Sequence, residues 1–406
     1  MRRPIHVALL TFGSTEPNAG GSYSAERSFR RQVEYALRPG DTLTIVRLDK
    51  AGRSSPPAPK SDPSILIWKR TNWRRLSEIV HRSPLIHQAQ HCGHFTPKNG
   101  LEAHLMRRGV DLVVQVSPGM AVLDWQSLPS WVAFWDLGHR DFPELPEMAQ
   151  LRKFELLEKT YRIGLVRASK VIAESAESCR KLAVAYGLLP DRFLVVRLVP
   201  DVPEDNDEIN VSRDPHLAFY PAQFWPHKNH VVLLHALKLL MIEGRQPRHL
   251  VLAGSDKGNE KHIRRLTRDL GVEAHVTFAG FVSFERLQEY YRTAAVTVMP
   301  SILGPTNLPP LEALAMGCPV AASVADDANS LSDIGITHVK PFDVEGWSMI
   351  LDAATQLLAP DRSKVREAVE ARRQANVDGL SQALDEFAVL RTLWTPSEPK
   401  KSLPDG

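Results

Sequence analysis

One segment constrains the fold of this chain more than any other, the stretch from Met299 to Ser323, MPSILGPTNLPPLEALAMGCPVAAS. It begins at the end of a continuous apolar run, 295–299, which predicts a buried strand. Pro309 and Pro310 suit the first turn of a helix, because a proline there forfeits no hydrogen bond. Gly317 suits the end of that helix, because glycine readily adopts the left-handed conformation that closes helices. With the apolar run that follows it, the segment predicts a strand–helix–strand unit of a parallel sheet.

Apolar runs alternate with segments of helical periodicity through both halves of the chain. Such alternation predicts parallel sheets flanked by helices, and the chain has enough of these units for two sheets. We predict an α/β fold of two doubly wound, Rossmann-like domains. The predicted strands are 5–12, 42–48, 64–68, 112–116, 131–134, 171–173, 193–199, 217–220, 248–253, 275–279 and 295–299, and the predicted helices are 23–37, 100–108, 148–168, 230–243, 259–270 and 284–292.

The 406-residue chain has the length of two domains rather than one. From Pro200 to Glu208, prolines and acidic residues interrupt the periodicity, which indicates a linker. We therefore predict a first domain over 1–204 and a second over 205–394, with the option that the last helix packs back on the first domain. Residues 395–406, rich in proline, lysine and serine, are predicted to be a mobile tail.

The composition favours an ordinary globular protein of the cytoplasm. The 50 basic residues nearly cancel the 47 acidic ones, so the charge gives no reason to expect a nucleic-acid partner. Three widely spaced cysteines fit a reducing compartment. We predict neither a signal peptide nor a transmembrane helix, because no apolar run approaches the ~20 residues that cross a bilayer. The prediction is a cytoplasmic protein that lies at most on the inner surface of a membrane.

Two predicted helix starts point to a ligand. Gly20 and Gly21 follow the first predicted strand and let the backbone approach a ligand before a helix that starts near Tyr23. At the helix that begins with Pro309, the backbone N–H groups of the first turn favour an anion. Glu312, one turn further on, suits sugar hydroxyls better than phosphates. Together these features predict a pocket for a nucleotide diphosphate-sugar.

The pattern PSxxGxxxLPPLEALAMGCPVAAS resembles the donor-site signature of retaining GT-B glycosyltransferases, the glycosyltransferase group 1 or family 4-like enzymes. The resemblance implies two Rossmann-like domains that face a central cleft, the first binding the acceptor and the second binding the nucleotide-sugar. Glu312 matches the second of two signature glutamates, which holds the ribose. The first glutamate falls on Gly304, so that carboxylate is missing. Thr306, Asn307 and Leu308 match the loop whose backbone amides face the diphosphate and the transferred sugar.

A second predicted phosphate contact follows the first strand of the second domain. Asn229 suits the N-cap of the next helix. Lys228 then lies at a helix N-terminus beside the carboxyl ends of the strands, where doubly wound sheets bind ligands. A cation there stabilises the charge that grows on a diphosphate as the glycosidic bond breaks. In the family that the chain resembles, an arginine precedes this lysine by five residues. Gln223 replaces it here, and a neutral amide binds phosphate more weakly than a guanidinium.

The resemblance extends over roughly residues 217–360 and includes a turn of the second sheet that the family uses for the nucleotide base. Gly280 lets the chain pass close to a flat base, and the backbone of Phe281 and Val282 is predicted to meet the edge of that base. These two residues complete the predicted donor-binding set.

In the first domain, the family often carries a His-Asp pair directly after a strand, and the histidine touches the transferred sugar. Trp135 stands at the position of that histidine, Asp136 is kept, and His139 lies three residues further on. An imidazole can donate or accept a proton near neutral pH. We predict Asp136 and His139, together with Lys228, as the catalytic residues. Whether either of the first two moves a proton, and whether His139 is structural instead, stays open.

Two further polar clusters invite a functional interpretation, and for the first, at residues 87–94, we expect a polar face on the acceptor side rather than a zinc site. His87, His91 and His94 would share one face of a helix, but neither an H-E-x-x-H pattern nor paired cysteines accompany them. The family generally dispenses with a metal, and we predict no metal and no cofactor. The basic run from Lys69 to Arg82 is expected to be a solvated helix face. The alternative is contact with anionic lipid headgroups, since glycan acceptors of such enzymes are often lipid-linked.

The resemblance implies a glycosyltransferase that moves a hexose with retention from a nucleotide diphosphate-sugar to a saccharide or lipid-linked saccharide, in bacterial surface polysaccharide or lipopolysaccharide biosynthesis. The leaving phosphate of such enzymes helps to take the acceptor proton, so catalysis rests on positioning and electrostatics. One alternative is a non-catalytic nucleotide-sugar-binding protein, motivated by the departures at Gly304, Gln223 and Trp135. The other is an NAD-dependent dehydrogenase or epimerase, which residues 12–16 disfavour because they lack the G-x-G-x-x-G pattern.

Overall fold

The protein contains two parallel β-sheets, each flanked by helices. The first sheet is built from strands in the amino-terminal half of the chain and the second from strands in the carboxyl-terminal half. The computed structural model describes residues 2–11, 21–49, 65–69, 100–116, 118–123, 125, 127–149, 153–200, 212–246, 248–304, 308–323 and 335–394.

The first sheet has seven strands in the order β3-β2-β1-β4-β5-β6-β7, and every neighbouring pair is parallel. The strand order changes direction between β1 and β4, which makes that junction the switch point of the sheet. The strands are β1 (His6–Thr11), β2 (Thr42–Asp49), β3 (Ile65–Lys69), β4 (Leu112–Gln115), β5 (Ser130–Ala133), β6 (Lys170–Ala173) and β7 (Phe193–Val195).

The second sheet has six parallel strands in the order β10-β9-β8-β11-β12-β13, with its switch point between β8 and β11. Both sheets thus confirm the predicted doubly wound α/β architecture. The strands are β8 (Asp214–Pro221), β9 (His249–Ala253), β10 (Val276–Gly280), β11 (Ala294–Met299), β12 (Val320–Ser323) and β13 (Ile336–Val339).

The described part of the chain forms helices that connect the strands and a long final helix. They are α1 (Gly21–Ala36), α2 (Gly100–Arg107), α3 (Gly138–Asp141), α4 (Pro146–Ala149), α5 (Lys153–Arg167), α6 (Ala176–Tyr186), α7 (His230–Ile242), α8 (Glu260–Leu270), α9 (Phe284–Thr293), α10 (Leu308–Ala315), α11 (Val344–Asp352) and α12 (Arg362–Trp394). Within this part of the chain, no helix combines the length and the apolar character needed to cross a membrane.

The residues of β1 alternate between two apolar cores, because both faces of a parallel sheet are covered. Val7 and Leu9 belong to the core beside α1 and α12, whereas Ala8 and Leu10 belong to the core beside α2. All four side chains are 0% exposed. Continuous apolar runs in the sequence therefore mark the centre of the sheet.

Helix α12 connects the two domains. Val365, near its start, packs in the core of the second domain, and Leu380, further along, packs in the core of the first. Between them, Asn376 accepts a hydrogen bond from the backbone N–H of Arg197 at 3.0 Å and donates to the carbonyl of Arg197 at 2.8 Å. The helix is thereby tied to the segment that leaves the first sheet.

Most predicted elements match the observed ones in order, with bounds that differ by one to three residues. The predicted strand 193–199 instead ends at Val195, because the backbone of Arg197 bonds to Asn376 rather than to a neighbouring strand. The predicted helix 148–168 corresponds to two described helical segments, α4, which Pro146 opens, and α5, which begins at Lys153. Residues 150–152, between them, lie outside the described residues.

A few elements and boundaries were predicted only in part or lie outside the described residues. No bounds were predicted for β13, α11 or α12. Helix α1 begins at Gly21, two residues before the predicted start. The predicted domain boundary at 204/205 and the tail at 395–406 lie outside the described residues.

Candidate functional site

Two loops meet at the switch point of the second sheet. The loop after β8 carries Lys228, and the loop after β11 carries Ser301 and Ile302. The Nζ of Lys228 donates to the Oγ of Ser301 at 3.3 Å, and the Ile302 N–H donates to the carbonyl of His227 at 2.8 Å. Because β8 and β11 are paired in parallel, both loops leave the sheet at the same carboxyl edge. The ammonium group of Lys228 therefore lies where sheets of this type bind ligands.

The backbone around Lys228 turns sharply before α7. Pro226 opens a 3₁₀ turn over Pro226–Lys228, and Asn229 follows in the left-handed conformation with φ = 53°. Asn229 is the N-cap residue of α7, as predicted, but its side chain makes no capping hydrogen bond. Capping requires an extended backbone at this position. The Nδ2 of Asn229 instead donates to the carbonyl of Pro341 at 2.6 Å.

The side chain of Lys228 has a pKa close to neutral pH. Burial lowers the pKa of Lys228 to about 8, against the opposing influence of the Asp136 and Glu174 carboxylates. Asp136 follows β5 and Glu174 follows β6, so both come from carboxyl ends of the first sheet. The two domains therefore face each other across Lys228. Glu174 is 4% exposed and was missed by sequence reasoning, although an acidic residue directly after a buried apolar strand is a usable signal.

The structure places the other two predicted catalytic residues differently. The carboxylate of Asp136 accepts from the N–H of Gly138 at 2.8 Å and lies close enough to Lys228 to raise its pKa. His139 is 1% exposed, and its Nε2 lies 3.1 Å from the Oε2 of Glu158. Its ring also packs at 4.8 Å against Tyr161. Burial lowers the pKa of His139 in spite of Glu158, so the enclosed imidazole is neutral at neutral pH. Asp136 thus faces the second domain, whereas His139 is held inside the first.

A histidine–glutamate contact that the sequence analysis did not identify joins the domains beside Lys228. Glu147, on α4, is 2% exposed. Its Oε1 accepts from the Nδ1 of His227 at 2.7 Å and from the backbone N–H of His227 at 3.3 Å. Burial raises the pKa of Glu147, but the hydrogen bonds from His227 outweigh it and bring this pKa below its usual value. The carboxylate is therefore ionised, and Nδ1 carries the proton of the neutral imidazole.

Two further contacts hold the same faces together. A Cβ on Gly138 would lie 2.7 Å from the Cδ1 of Leu303, so α3 and the loop after β11 approach closely, and a larger residue at this position would displace the Leu303 side chain. The Nζ of Lys153, on α5, lies 5.2 Å from the ring centroid of Trp225. The loops that surround Lys228 therefore contact the first domain at several points.

The predicted ribose and phosphate residues lie around the start of α10. Leu308 is the first residue of α10, and Gly304 before it adopts a left-handed backbone with φ = 103°. Glu312, one turn into α10, accepts a hydrogen bond from the O–H of Tyr291 at 2.9 Å. The hydroxyl of Tyr291 fixes one oxygen of the carboxylate from α9. Lys228 and the N-terminus of α10 thus belong to loops of adjacent strands.

The remaining predicted donor residues surround the ends of β8 and β10. The Nε2 of Gln223 donates to the Oγ of Ser255 at 3.2 Å, and its Oε1 accepts from the Nε1 of Trp225 at 3.2 Å. Phe281 is 43% exposed directly after β10, and Val282 packs partly against the core of the second domain. The side chain of Gln223 is thus directed toward Ser255 and Trp225.

Several predicted residues cannot be placed. Gly21 is the first residue of α1, but Gly20, Thr306 and Asn307 lie outside the described residues. The same holds for the histidines at 87–94 and for the basic run after Lys69. In the described part of the chain, no group of three or more histidine, cysteine, aspartate or glutamate residues is placed to hold a metal ion.

The assembled groups suit a ligand that is both anionic and rich in hydroxyls. An ammonium group and a helix N-terminus attract a diphosphate. Three carboxylates, at Asp136, Glu174 and Glu147, lie on the opposite side and come from the first domain. Carboxylates repel a phosphate but accept hydrogen bonds from hydroxyls. The two sides therefore differ in charge.

Comparison with known proteins identifies similar glycosyltransferases. Residues 201–355 match the family model described as "Glycosyl transferases group 1". The D-inositol 3-phosphate glycosyltransferase of Thermomonospora curvata is 27% identical over 248 residues, which cover 55% of this chain and 57% of the relative. The chain therefore spans little more than half the length of the curated relatives that it matches.

Solved structures of glycosyltransferases share the fold. HepE of Anabaena, solved with UDP-glucose, superposes with a TM-score of 0.64 at 16% identity and covers 94% of this chain and 100% of its own. WaaG, a glycosyltransferase involved in lipopolysaccharide biosynthesis, has a TM-score of 0.61 at 17% identity, with 94% of this chain and 99% of its own covered. The two Rossmann-like domains thus form the GT-B fold that the sequence predicted.

Proposed function

We propose that the protein is a retaining glycosyltransferase that moves a hexose from a nucleotide diphosphate-sugar to a saccharide or lipid-linked saccharide. The observation that carries the proposal is the position of Lys228 at the switch point of the second sheet, facing Asp136 and Glu174 of the first domain. The match of residues 201–355 to the group 1 glycosyltransferases supports the same activity. We also propose a role in surface polysaccharide assembly, because WaaG, whose fold is similar, is involved in lipopolysaccharide biosynthesis.

In this mechanism the second domain binds the leaving group. Lys228 and the N-terminus of α10 hold the diphosphate, and Glu312, fixed by Tyr291, holds the ribose. As the glycosidic bond breaks, negative charge moves onto the diphosphate and interacts more strongly with the ammonium group of Lys228. The leaving phosphate then takes the proton of the attacking acceptor hydroxyl on the same face of the sugar. The first domain positions the acceptor through Asp136 and its neighbours.

A thermal-shift screen against UDP-, GDP- and ADP-hexoses tests the binding step. A nucleotide-sugar present at about 100 times its Kd should stabilise the protein by roughly 2–3 kcal/mol. The selected donor is then incubated with and without saccharide acceptors, and the release of nucleoside diphosphate is measured. NMR of the product anomer tests retention. A protein that none of the nucleotide-sugars stabilises would contradict the proposal.

A non-catalytic nucleotide-sugar-binding protein is the second candidate. It is favoured by Gln223, whose amide bonds to Ser255 and Trp225 where the family has an arginine for the phosphate. The two candidates differ in turnover rather than in binding. If the donor binds but its glycosyl bond stays intact with every acceptor and with water, the binding protein is the better description.

A further inference from the structure

We propose that Glu147 forms a sugar-binding subsite from the first domain, with its Oε2 accepting a hydrogen bond from a hydroxyl of the transferred hexose. This inference rests on the proposed function and adds to it the residue that selects the sugar. Neither the sequence pattern nor the family match assigns a role to Glu147.

The first step in the argument is the position of the carboxylate. Glu147 belongs to the first domain, but its Oε1 is held by two donors of His227, the ring Nδ1 at 2.7 Å and the backbone N–H at 3.3 Å. His227 precedes Lys228, the proposed phosphate ligand. Its side chain is 20% exposed, so the contact borders on solvent. The carboxylate therefore lies on the domain interface, and its partner His227 is the sequence neighbour of the proposed phosphate ligand.

The second step is the unused capacity of the same group. Oε2 of Glu147 is buried and has no hydrogen-bond partner among the described residues. Such atoms are rare in folded proteins, because a buried acceptor without a donor loses its hydration with no compensation. The carboxylate is also ionised, since its hydrogen bonds from His227 hold its pKa below the usual value despite burial. An ionised oxygen in this position has a strong preference for an O–H donor.

The third step is the neighbouring loop. The carbonyl of His227 accepts from the N–H of Ile302, which brings the Glu147 contact against the loop that leads to Gly304. Leu303 of that loop also touches α3 of the first domain near Gly138. Gly304 has no side chain to offer a sugar. A carboxylate of the other domain is therefore linked, through His227 and Ile302, to the loop that lacks a carboxylate at Gly304.

These steps define the chemistry of the ligand. A group that takes up the free oxygen must donate a hydrogen bond and carry no negative charge, as the hydroxyls of a neutral hexose do. A site built around a buried hydrogen bond strongly disfavours an analogue that lacks the donor. Glu147 is thus expected to make the protein selective for one hydroxyl of the transferred sugar.

The test compares Glu147→Gln with the wild-type protein, using the nucleotide-sugar selected in the thermal-shift screen and its bare nucleoside diphosphate. Glutamine keeps the shape and can still accept from His227, but its other terminal atom donates instead of accepting. We expect the affinity for the nucleoside diphosphate to stay within about twofold and the affinity for the nucleotide-sugar to fall about 10- to 100-fold. Glu144→Gln, three residues earlier and exposed, is the matched control and should change neither affinity.

A deoxy-sugar series makes the test independent of how well the variant folds. Wild-type protein should discriminate strongly against the donor that lacks one particular hydroxyl, and Glu147→Gln should lose that discrimination. Glu147→Asp, which keeps the charge, should restore part of it. Hydrolysis without acceptor shows the same pattern if the hydroxyl belongs to the donor.

Three outcomes overturn the inference. Equal losses for nucleoside diphosphate and nucleotide-sugar would assign Glu147 to holding the loop of Lys228 rather than to the sugar. Unchanged affinities would mean that a buried water satisfies Oε2. Loss of acceptor affinity alone would place the hydroxyl on the acceptor. Failure of the wild-type protein to bind any nucleotide-sugar is distinct from all three, since it removes the proposed function and this inference with it.

Discussion

Two histidine–glutamate pairs lie near the domain interface, and they differ in how completely the carboxylate is satisfied. Glu158, paired with His139 inside the first domain, has partners on both oxygens. His139 and the hydroxyl of Tyr186 contact Oε2. The guanidinium group of Arg162 donates to Oε1, and that of Arg140 donates to both oxygens. Glu147, paired with His227 across the interface, has a partner on one oxygen only within the described part of the chain.

The number of donors, rather than the residue types, distinguishes a structural pair from one that is ready to bind a ligand. Four donors around Glu158 lower its pKa to about 2, with the Arg140 hydrogen bond the largest influence, and leave its partner His139 enclosed. Glu147 and Lys228 instead lie where the domains meet, with one oxygen of Glu147 held by His227 and the ammonium group of Lys228 bonded to Ser301. We therefore expect changes at the first pair to alter stability and changes at the second region to alter turnover.

The largest effect is expected from Lys228→Ala. If Lys228 stabilises the leaving diphosphate as proposed, its removal should lower kcat by about 10²- to 10³-fold, equivalent to roughly 2.7–4 kcal/mol in the barrier. The free energy of unfolding should not fall, because the substitution removes a half-buried charge with a depressed pKa. Steady-state kinetics and urea unfolding measure the two quantities.

Lys261→Ala is the matched control for that substitution. Lys261 is an exposed lysine on α8 of the same domain, so its loss should change neither turnover nor stability. Turnover in Lys228→Ala that equals the wild-type value would remove Lys228 from the mechanism.

Glu158→Gln is expected to act on stability. A carboxyl whose pKa drops from 4.5 to about 2 on folding stabilises the protein by roughly 3 kcal/mol at neutral pH. Because the folded-state pKa is lowered, this contribution is complete above pH 4.5 and is lost as the pH falls toward 2. The variant should therefore unfold at lower urea concentration at pH 7 and show a weaker loss of stability in acid.

Glu155→Gln, at an exposed position on the same helix, controls for the general effect of removing a carboxylate from α5. If Glu158→Gln unfolded like this control but lost turnover, Glu158 would serve activity rather than stability. That result would contradict the contrast between the two histidine–glutamate pairs.

The sequence predicted the features that depend on local pattern. Buried parallel strands are continuous apolar runs, so the centres of both sheets were found, and the residues that follow those strands were placed at the correct edge. Lys228 and Asp136 are of this kind, since each lies a few residues beyond a strand. Their approach to each other follows from the fold, because carboxyl ends of both sheets line the interface.

The sequence could not predict features that depend on how the domains dock. Glu147 and His227 are 80 residues apart, and neither has a local pattern that indicates the other. His139 is the opposite case, since it is close to Asp136 in sequence but the α3 turn directs its ring into the first domain. The side chain of Asn229 makes no capping hydrogen bond for a similar reason, because the tight turn at Lys228 imposes a left-handed backbone on Asn229. Proximity in sequence does not give the direction of a side chain.

The smallest expected effect concerns the pH dependence of donor binding. The pKa of Lys228 in the ligand-free protein is about 8, because burial disfavours the charged form. A bound diphosphate favours that form and raises the pKa, so binding above pH 8 takes up one proton. Affinity for the nucleoside diphosphate should therefore be constant just below pH 8 and fall by up to about tenfold per pH unit above it. Calorimetry in buffers of different ionisation enthalpy measures the proton uptake directly. Lys228→Ala should bind the nucleoside diphosphate more weakly and without this proton uptake. Proton uptake that persisted in Lys228→Ala would assign the titration to another group and leave Lys228 without its proposed contact to phosphate.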